Sequence, residues 1–297
     1  IVDCSYKGIN VINSSWFDSN ATSLLLDYNS ISVLTNGIFS NLQQLRTLSI
    51  TRNKLERIFD DAFLGLESLE FLNLEYNYLM PKKSFPLNVF SSLLNLKTLL
   101  LVQELSLRNK SFPDVRRLTD LTTLSLDTVD VVVSMGEEFK ELKVLSSLTL
   151  SGSAKVISNQ SFINVPHLKE LRLTNLGQLS EIDTQGLAQL RFLNRLEINS
   201  STIGVTKTMR ALEPLQNQNM TEILLRYIKL TSRNQAPGLI NQDGILDRNK
   251  TKYLLEICVS KFSLIDSNIY VVTNDAMVSE TWQACLKFID LSGNPLK

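Results

Sequence analysis

Acid–base or nucleophilic chemistry would need a histidine, an activated thiol or hydroxyl, or a tight pair of carboxylates. The chain's one histidine, His167, lies in Val165-Pro166-His167-Leu168, which reads as a surface turn with no nucleophile motif near it. No G-x-S-x-G, phosphate-loop or H-E-x-x-H pattern occurs, and no Cys/His spacing suits a metal. The carboxylates are scattered as on a solvated surface. No catalytic residue, metal or cofactor is expected, and the chain does not read as an enzyme. Three cysteines are present. Cys258 and Cys285 fall in neighbouring turns of the repeat described below; a disulfide is the favoured reading, and two buried thiols the other. Cys4 is then left free, or paired outside the chain. Asn13, Asn20, Asn109, Asn159, Asn199, Asn219 and Asn249 each open an N-x-S/T sequon, the acceptor for N-glycosylation.

The elements that position these residues come from a repeat. Leu45, Leu48, Ile50, Asn53 and Leu55 fit L-x-x-L-x-L-x-x-N-x-L, as do Leu69, Leu72, Leu74, Asn77 and Leu79. Ala21, Leu24, Leu26, Asn29 and Ile31 form an earlier copy, and Leu286, Ile289, Leu291, Asn294 and Leu296 the last. Strand centres are expected at Leu24, Leu48, Leu72, Leu99, Leu124, Leu148, Leu171, Leu196, Ile223, Leu255 and Ile289. The steps from Leu24 to Ile223 all fall within the period of about 20–29 residues typical of leucine-rich repeats. The steps to Leu255 and to Ile289 are longer than that range. A large apolar residue recurs on the return half of each turn: Phe39, Phe63, Phe90, Phe112, Phe139, Phe162 and then Leu187.

In x-L-x-L-x, alternation sends the leucines inward and the residues between them outward. Stacked coils share one core that a single coil could not sustain. The fold class is α/β: a leucine-rich-repeat solenoid (horseshoe) with a parallel sheet on the concave face, and irregular return segments and short helices on the convex face. A cap-like segment is expected over 1–20 and about 11 repeats over 21–297, with insertions around 231–252 and 263–284 and no C-terminal cap. The template asparagine can satisfy backbone groups of adjacent coils. The matching positions between the regular ends are Glu104, Val129, Ser153, Leu176, Ser201, Ile228 and Ser260. Either the coil geometry changes there, or serine and water fill in.

Hydrophobic residues make up 43% and charged residues 20%, a globular balance, and Lys+Arg and Asp+Glu both total 30. No overall basic excess points to nucleic acid. No apolar run is long enough to span a bilayer. No leader precedes Ile1, so the chain reads as a mature or trimmed product, or a cytosolic one.

The repeat, the opening VDCSYKGINVI and the closing LKFIDLSGNPLK together resemble the extracellular leucine-rich-repeat class, and specifically a Toll-like receptor ectodomain. The likeness implies an N-terminal fragment of a longer receptor, with Cys4 as a cap cysteine. It also implies a disulfide-bonded glycoprotein of innate immunity on the extracellular side of the plasma membrane, or secreted, reaching the membrane only through a C-terminal segment not present here. Such a receptor would recognise a microbial or endogenous protein, lipid or glycan and signal as a homo- or heterodimer; nucleic acid is not expected. The alternative is an extracellular adhesion or matrix repeat protein that binds another protein. Ligand-binding residues are expected among those projecting from the concave face: Tyr28, Arg52, Phe71, Glu75, Tyr76, Arg172, Arg195, Glu197, Arg226 and Tyr227. Salt bridges between neighbouring strands, Glu170 with Arg195 and Arg172 with Glu197, are the competing use of the later group. The segment Thr231 to Lys252, which lacks the template, is a second binding candidate.

Overall fold

A computed structural model describes residues 1–80, 84–103, 113–128, 130–228 and 242–297. The chain divides into two compact units, Ile1–Val129 with Gly136–Leu148, and Asp130–Met135 with Thr149–Lys297.

In the first unit short parallel strands follow one another in chain order: β1 (Val2–Asp3), β2 (Ser23–Leu25), β3 (Thr47–Ser49), β4 (Phe71–Asn73), β5 (Thr98–Leu100) and β6 (Thr123–Thr128). Val2, Leu24, Leu48, Leu72, Leu99 and Leu124 lie directly across from one another in turn. From Leu24 onward these residues are fully buried, as the alternation requires. The division between units falls within β7 (Ser147–Gly152). The second unit continues with β8 (Glu170–Leu173), β9 (Arg195–Ser201), β10 (Asn219–Ile228), β11 (Cys258–Ile265) and β12 (Phe288–Asp290), also parallel.

The row Leu171, Leu196, Ile223, Phe262, Ile289 corrects one expectation. Leu255 is not a strand centre; it lies in a 3-10 turn, Leu254–Glu256. Phe262 holds the position, and Val259, Phe262, Leu264, Ser267 and Ile269 complete the template, all buried. The last step therefore runs from Phe262 to Ile289 and has ordinary repeat length, so there is no insertion over 263–284. The extra length lies earlier, between Ile223 and Phe262. Phenylalanine at the strand centre and serine for asparagine hide the copy from a leucine-based reading.

The return sides carry the rings. Phe39, Phe63, Phe90 and Phe139 are buried in the first unit, and Phe162 and Leu187 in the second; Phe112 lies outside the described residues. Phe63 and Phe90 stack at 6.0 Å between centroids. Two-residue parallel ladders stiffen this side: Val33–Leu34 with Arg57–Ile58 in the first unit, and Val132–Val133, Val156–Ile157 and Glu181–Ile182 in the second. The second unit adds helices α1 (Val205–Arg210), α2 (Arg248–Thr251) and α3 (Glu280–Cys285). Ser279 caps α3 by accepting the Trp282 N–H, and the buried Trp282 indole N–H donates to the Leu254 carbonyl at 2.9 Å. Cys258 and Cys285 form a disulfide with Cα atoms 5.3 Å apart, tying the start of β11 to the end of α3. Cys4 is a free thiol.

The asparagines do what the template asks. Asn77 Nδ2 donates to the Ile50 and Leu74 carbonyls at 2.8 and 3.1 Å, and its Oδ1 accepts the Leu55 N–H at 3.0 Å. Asn29, Asn53 and Asn294 make equivalent bonds. In the next coil the bonds are made by Gln103, one residue before the position expected from the template: its amide donates to Leu74 and Leu101, and its carbonyl accepts the Asn77 N–H. Glu104 and Val129 lie outside the described residues. In the second unit Leu176 and Ile228 stand buried at the template position, and two serine hydroxyls make bonds of this kind. Ser201 donates to the Leu179 carbonyl, and Ser267 donates to Ile265 while accepting the Ile228 N–H.

Candidate functional site

The residue before the template asparagine adopts a left-handed backbone. Tyr28, Arg52 and Tyr76 have φ of 54, 51 and 55°, and Tyr227, Asp266 and Gly293 repeat the conformation in the second unit. The turn therefore imposes the conformation. A non-glycine residue there costs roughly 1–2 kcal/mol, and glycine or asparagine would carry the turn with less strain. Tyr28, Arg52 and Tyr76 instead stack along the strand exits of three successive coils. The Arg52 guanidinium lies 4.3 Å from the Tyr76 ring centroid and 5.6 Å from that of Tyr28. Tyr6 extends the row, its ring 4.4 Å from Tyr28 and nearly parallel to it.

Tyr6 escaped the sequence reading because residues 1–20 look like a cap. Val2 pairs with Leu24, so Tyr6 holds the same place after its strand as Tyr28 does after β2. Tyr6, Tyr28 and Tyr76 are 70, 45 and 38% exposed. The result is an accessible ladder of aromatic faces around one cation.

Carboxylates border the ladder. Asp27 accepts the Ser49 hydroxyl and the Thr51 N–H, each at 2.7 Å. Glu75 accepts the Ser125 hydroxyl at 3.1 Å, and Asp127 accepts the Gln103 N–H. Burial raises the Glu75 pKa, opposed by the Ser125 hydroxyl. Burial pushes Asp127 up to about 7; the Gln103 N–H opposes this and the charge of Glu75 adds to it. Phe71 sits apart from the ladder, half-buried in β4 between Thr47 and Thr98.

The charged residues of the second unit are engaged with one another. Arg172 lies 2.7 Å from Glu170 and 3.9 Å from Glu197; Arg195 lies 3.3 Å from Glu170 and 3.0 Å from Glu222. The two expected cross-strand pairs thus form, within a zipper of Glu170, Arg172, Arg195, Glu197 and Glu222 over β8, β9 and β10. Arg172, Arg195 and Glu197 are half-buried and already paired, so a partner's charged group must compete for them. Arg226 and Tyr227 remain exposed at the exit of β10.

Asn13, Asn20, Asn159, Asn219 and Asn249 are exposed, whereas Asn199 is half-buried in β9 opposite Arg226. Asn109 and residues 231–241 of the second binding candidate lie outside the described residues. His167 is exposed, its ring 6.1 Å from that of Phe192. Among the described residues no helix is long and apolar enough to cross a membrane.

Comparison with known proteins agrees with this architecture. The leucine rich repeat family matches residues 19–79, and the BspA type leucine rich repeat region matches residues 106–224. Human Toll-like receptor 3 is 26% identical over 223 residues, covering 73% of this chain and 23% of the receptor. Tsukushi of Gallus gallus is 28% identical over 229 residues, covering 69% of the chain and 62% of that protein. The chain thus spans about a quarter of the length of the Toll-like receptor 3 sequences it matches. The crystal structure of a TLR13–ssRNA13 complex superposes with a TM-score of 0.65 at 21% identity, over 96% of this chain and 39% of that one. The fold is that of a leucine-rich-repeat solenoid.

Proposed function

Because the chain is a leucine-rich-repeat protein that resembles the Toll-like receptors among them, we propose that it is a ligand-binding ectodomain from a Toll-like innate immune receptor, held on the extracellular side of the plasma membrane, and that ligand docks on the Tyr28–Arg52–Tyr76 ladder. The ladder is the observation that supports this reading. Three successive coils place strained, exposed, hot-spot residue types in register, and the packing of the coil does not call for those types. Aromatic faces around a guanidinium suit a sugar ring or the polar surface of a protein. The disulfide and the exposed sequons fit an oxidising, secretory route. Signalling then follows from ligand bringing two receptors together.

The test is an ectodomain chimera on a signalling reporter, screened against purified microbial glycans and proteins. For a ligand so found, the double variant Arg52→Ala/Tyr76→Ala should weaken binding about 100-fold and abolish the signal while circular dichroism stays unchanged. Undiminished binding would remove the ladder as the docking site.

The similarity to Tsukushi favours a second reading, an extracellular repeat protein that binds another protein without signalling itself. A membrane span and a Toll/interleukin-1 receptor domain encoded after Lys297 would decide for the receptor.

A further inference from the structure

A second candidate surface lies on the return side of the second unit, where α1 and α2 flank a cleft. Its walls are Thr206, Arg210, Asn249, Lys250, Lys252 and Tyr253. Three of these side chains are cations and none is a carboxylate. In a chain with 30 basic and 30 acidic side chains, such segregation does not follow from composition.

The nearby carboxylates are turned to other work. Asp243 accepts the backbone N–H groups of Val205 and Thr206, each at 2.7 Å, and so caps α1. Asp247 caps α2 by accepting the Lys250 N–H at 2.9 Å. Neither lines the cleft.

The two lysines are held rather than paired. The Lys250 ammonium donates to the carbonyls of Gln242 and Ile245, which fixes its position and leaves its charge intact. The Lys252 ammonium rests over the Tyr253 ring, 4.4 Å from its centroid. Arg210 makes no ion pair or side-chain hydrogen bond with the described residues. One cation at a helix C-terminus offsets its dipole. That accounts for Arg210 or Lys250 singly, not for three cationic residues lining one cleft with a tyrosine and a threonine.

We infer that this cleft binds a tetrahedral oxyanion, the sulfate or phosphate ester of an oligosaccharide, with Arg210 and Lys252 as its principal contacts. A tetrahedral oxyanion offers acceptors to several donors at once, which three cations and two hydroxyls match better than a single carboxylate would. Asn249, of the Asn249-Lys250-Thr251 sequon, forms one wall, so an N-glycan there and an incoming ester compete for the same opening.

The experiment measures binding of a heparin-derived sulfated pentasaccharide, its desulfated counterpart and a phosphorylated oligosaccharide to the whole chain by calorimetry. Asn249→Gln protein keeps the cleft free of glycan. The sulfated or the phosphorylated sugar, or both, should bind, and whichever binds identifies the source of the ester. Arg210→Ala and Lys252→Ala should each weaken binding at least 10-fold, and 0.5 M salt should abolish it. Lys140→Ala, an exposed cation of the first unit, should change nothing. Equal binding of the desulfated sugar, undiminished binding to Arg210→Ala/Lys252→Ala, or a single-stranded oligonucleotide binding where both sugars fail would each overturn the inference. The ladder variants of the first unit leave this readout untouched, so the two sites fail or hold separately.

Discussion

Asp127 shows at residue scale how the strand exits trade stability for position. In the unfolded chain its carboxyl titrates near the ordinary 3.8, and in the fold burial moves it up to about 7. Between those values the folded state binds the extra proton. Stability from this group is therefore full below pH 3.8 and is lost as pH rises through 7. The raised Glu75 acts in the same direction. Urea melts should show a chain more stable at pH 5.5 than at pH 8. Asp127→Asn, which keeps an oxygen for the Gln103 N–H, should flatten that difference and raise stability at pH 8. Asn77 is the opposite case, a residue fully committed to the frame. Asn77→Ala leaves the Ile50 carbonyl and the Leu55 N–H unpartnered in the interior, while the Leu74 carbonyl keeps the Gln103 amide. Each such group costs about 1–3 kcal/mol, so a loss of about 3 kcal/mol in the denaturation free energy is expected. The exposure of Tyr28, Arg52 and Tyr76 was legible from their outward position in the repeat, but their mutual stacking was not. Stacking depends on the left-handed turn, which no residue type announces when tyrosine or arginine occupies it.

At the scale of elements, the regular coils were legible because leucine at two alternate positions and asparagine three residues on leave one register. The β11 coil was not. Phe262 and Ser267 replace the two diagnostic types, and the long step before it shifts an expectation based on spacing onto Leu255. The buried row at Val259, Phe262, Leu264 and Ile269 shows that side-chain volume and alternation set the strand, with leucine only the usual occupant. The places of Cys258 and Cys285 in neighbouring turns made a disulfide plausible from the sequence, and α3 is what brings the two thiols together. Replacing both cysteines with serine should lower stability by about 3 kcal/mol, on the loop-entropy account of such links, and the loss should appear as a lower thermal midpoint of the second unit. The cleft between α1 and α2 was not legible at all, since Arg210 is separated along the chain from Lys250 and Lys252 by β10 and the residues that follow it.

For the molecule as a whole, neutrality has a cost. With equal numbers of acidic and basic side chains and a pI near 6.8, little net repulsion keeps copies apart at physiological pH. Light scattering should therefore show solubility passing through a minimum near pH 6.8 and rising on either side; a solubility that does not vary across that range would remove net charge as the control.

The division of the chain also distributes its two tryptophans, Trp16 to the first unit and Trp282 to the second. Trp16 is 57% exposed and Trp282 only 2%. Water around one indole and a dry, hydrogen-bonded enclosure around the other give them different emission colours, red-shifted and blue respectively. Each half of the protein thus contains its own fluorophore, and melting of either half can be followed by wavelength alone, without a label.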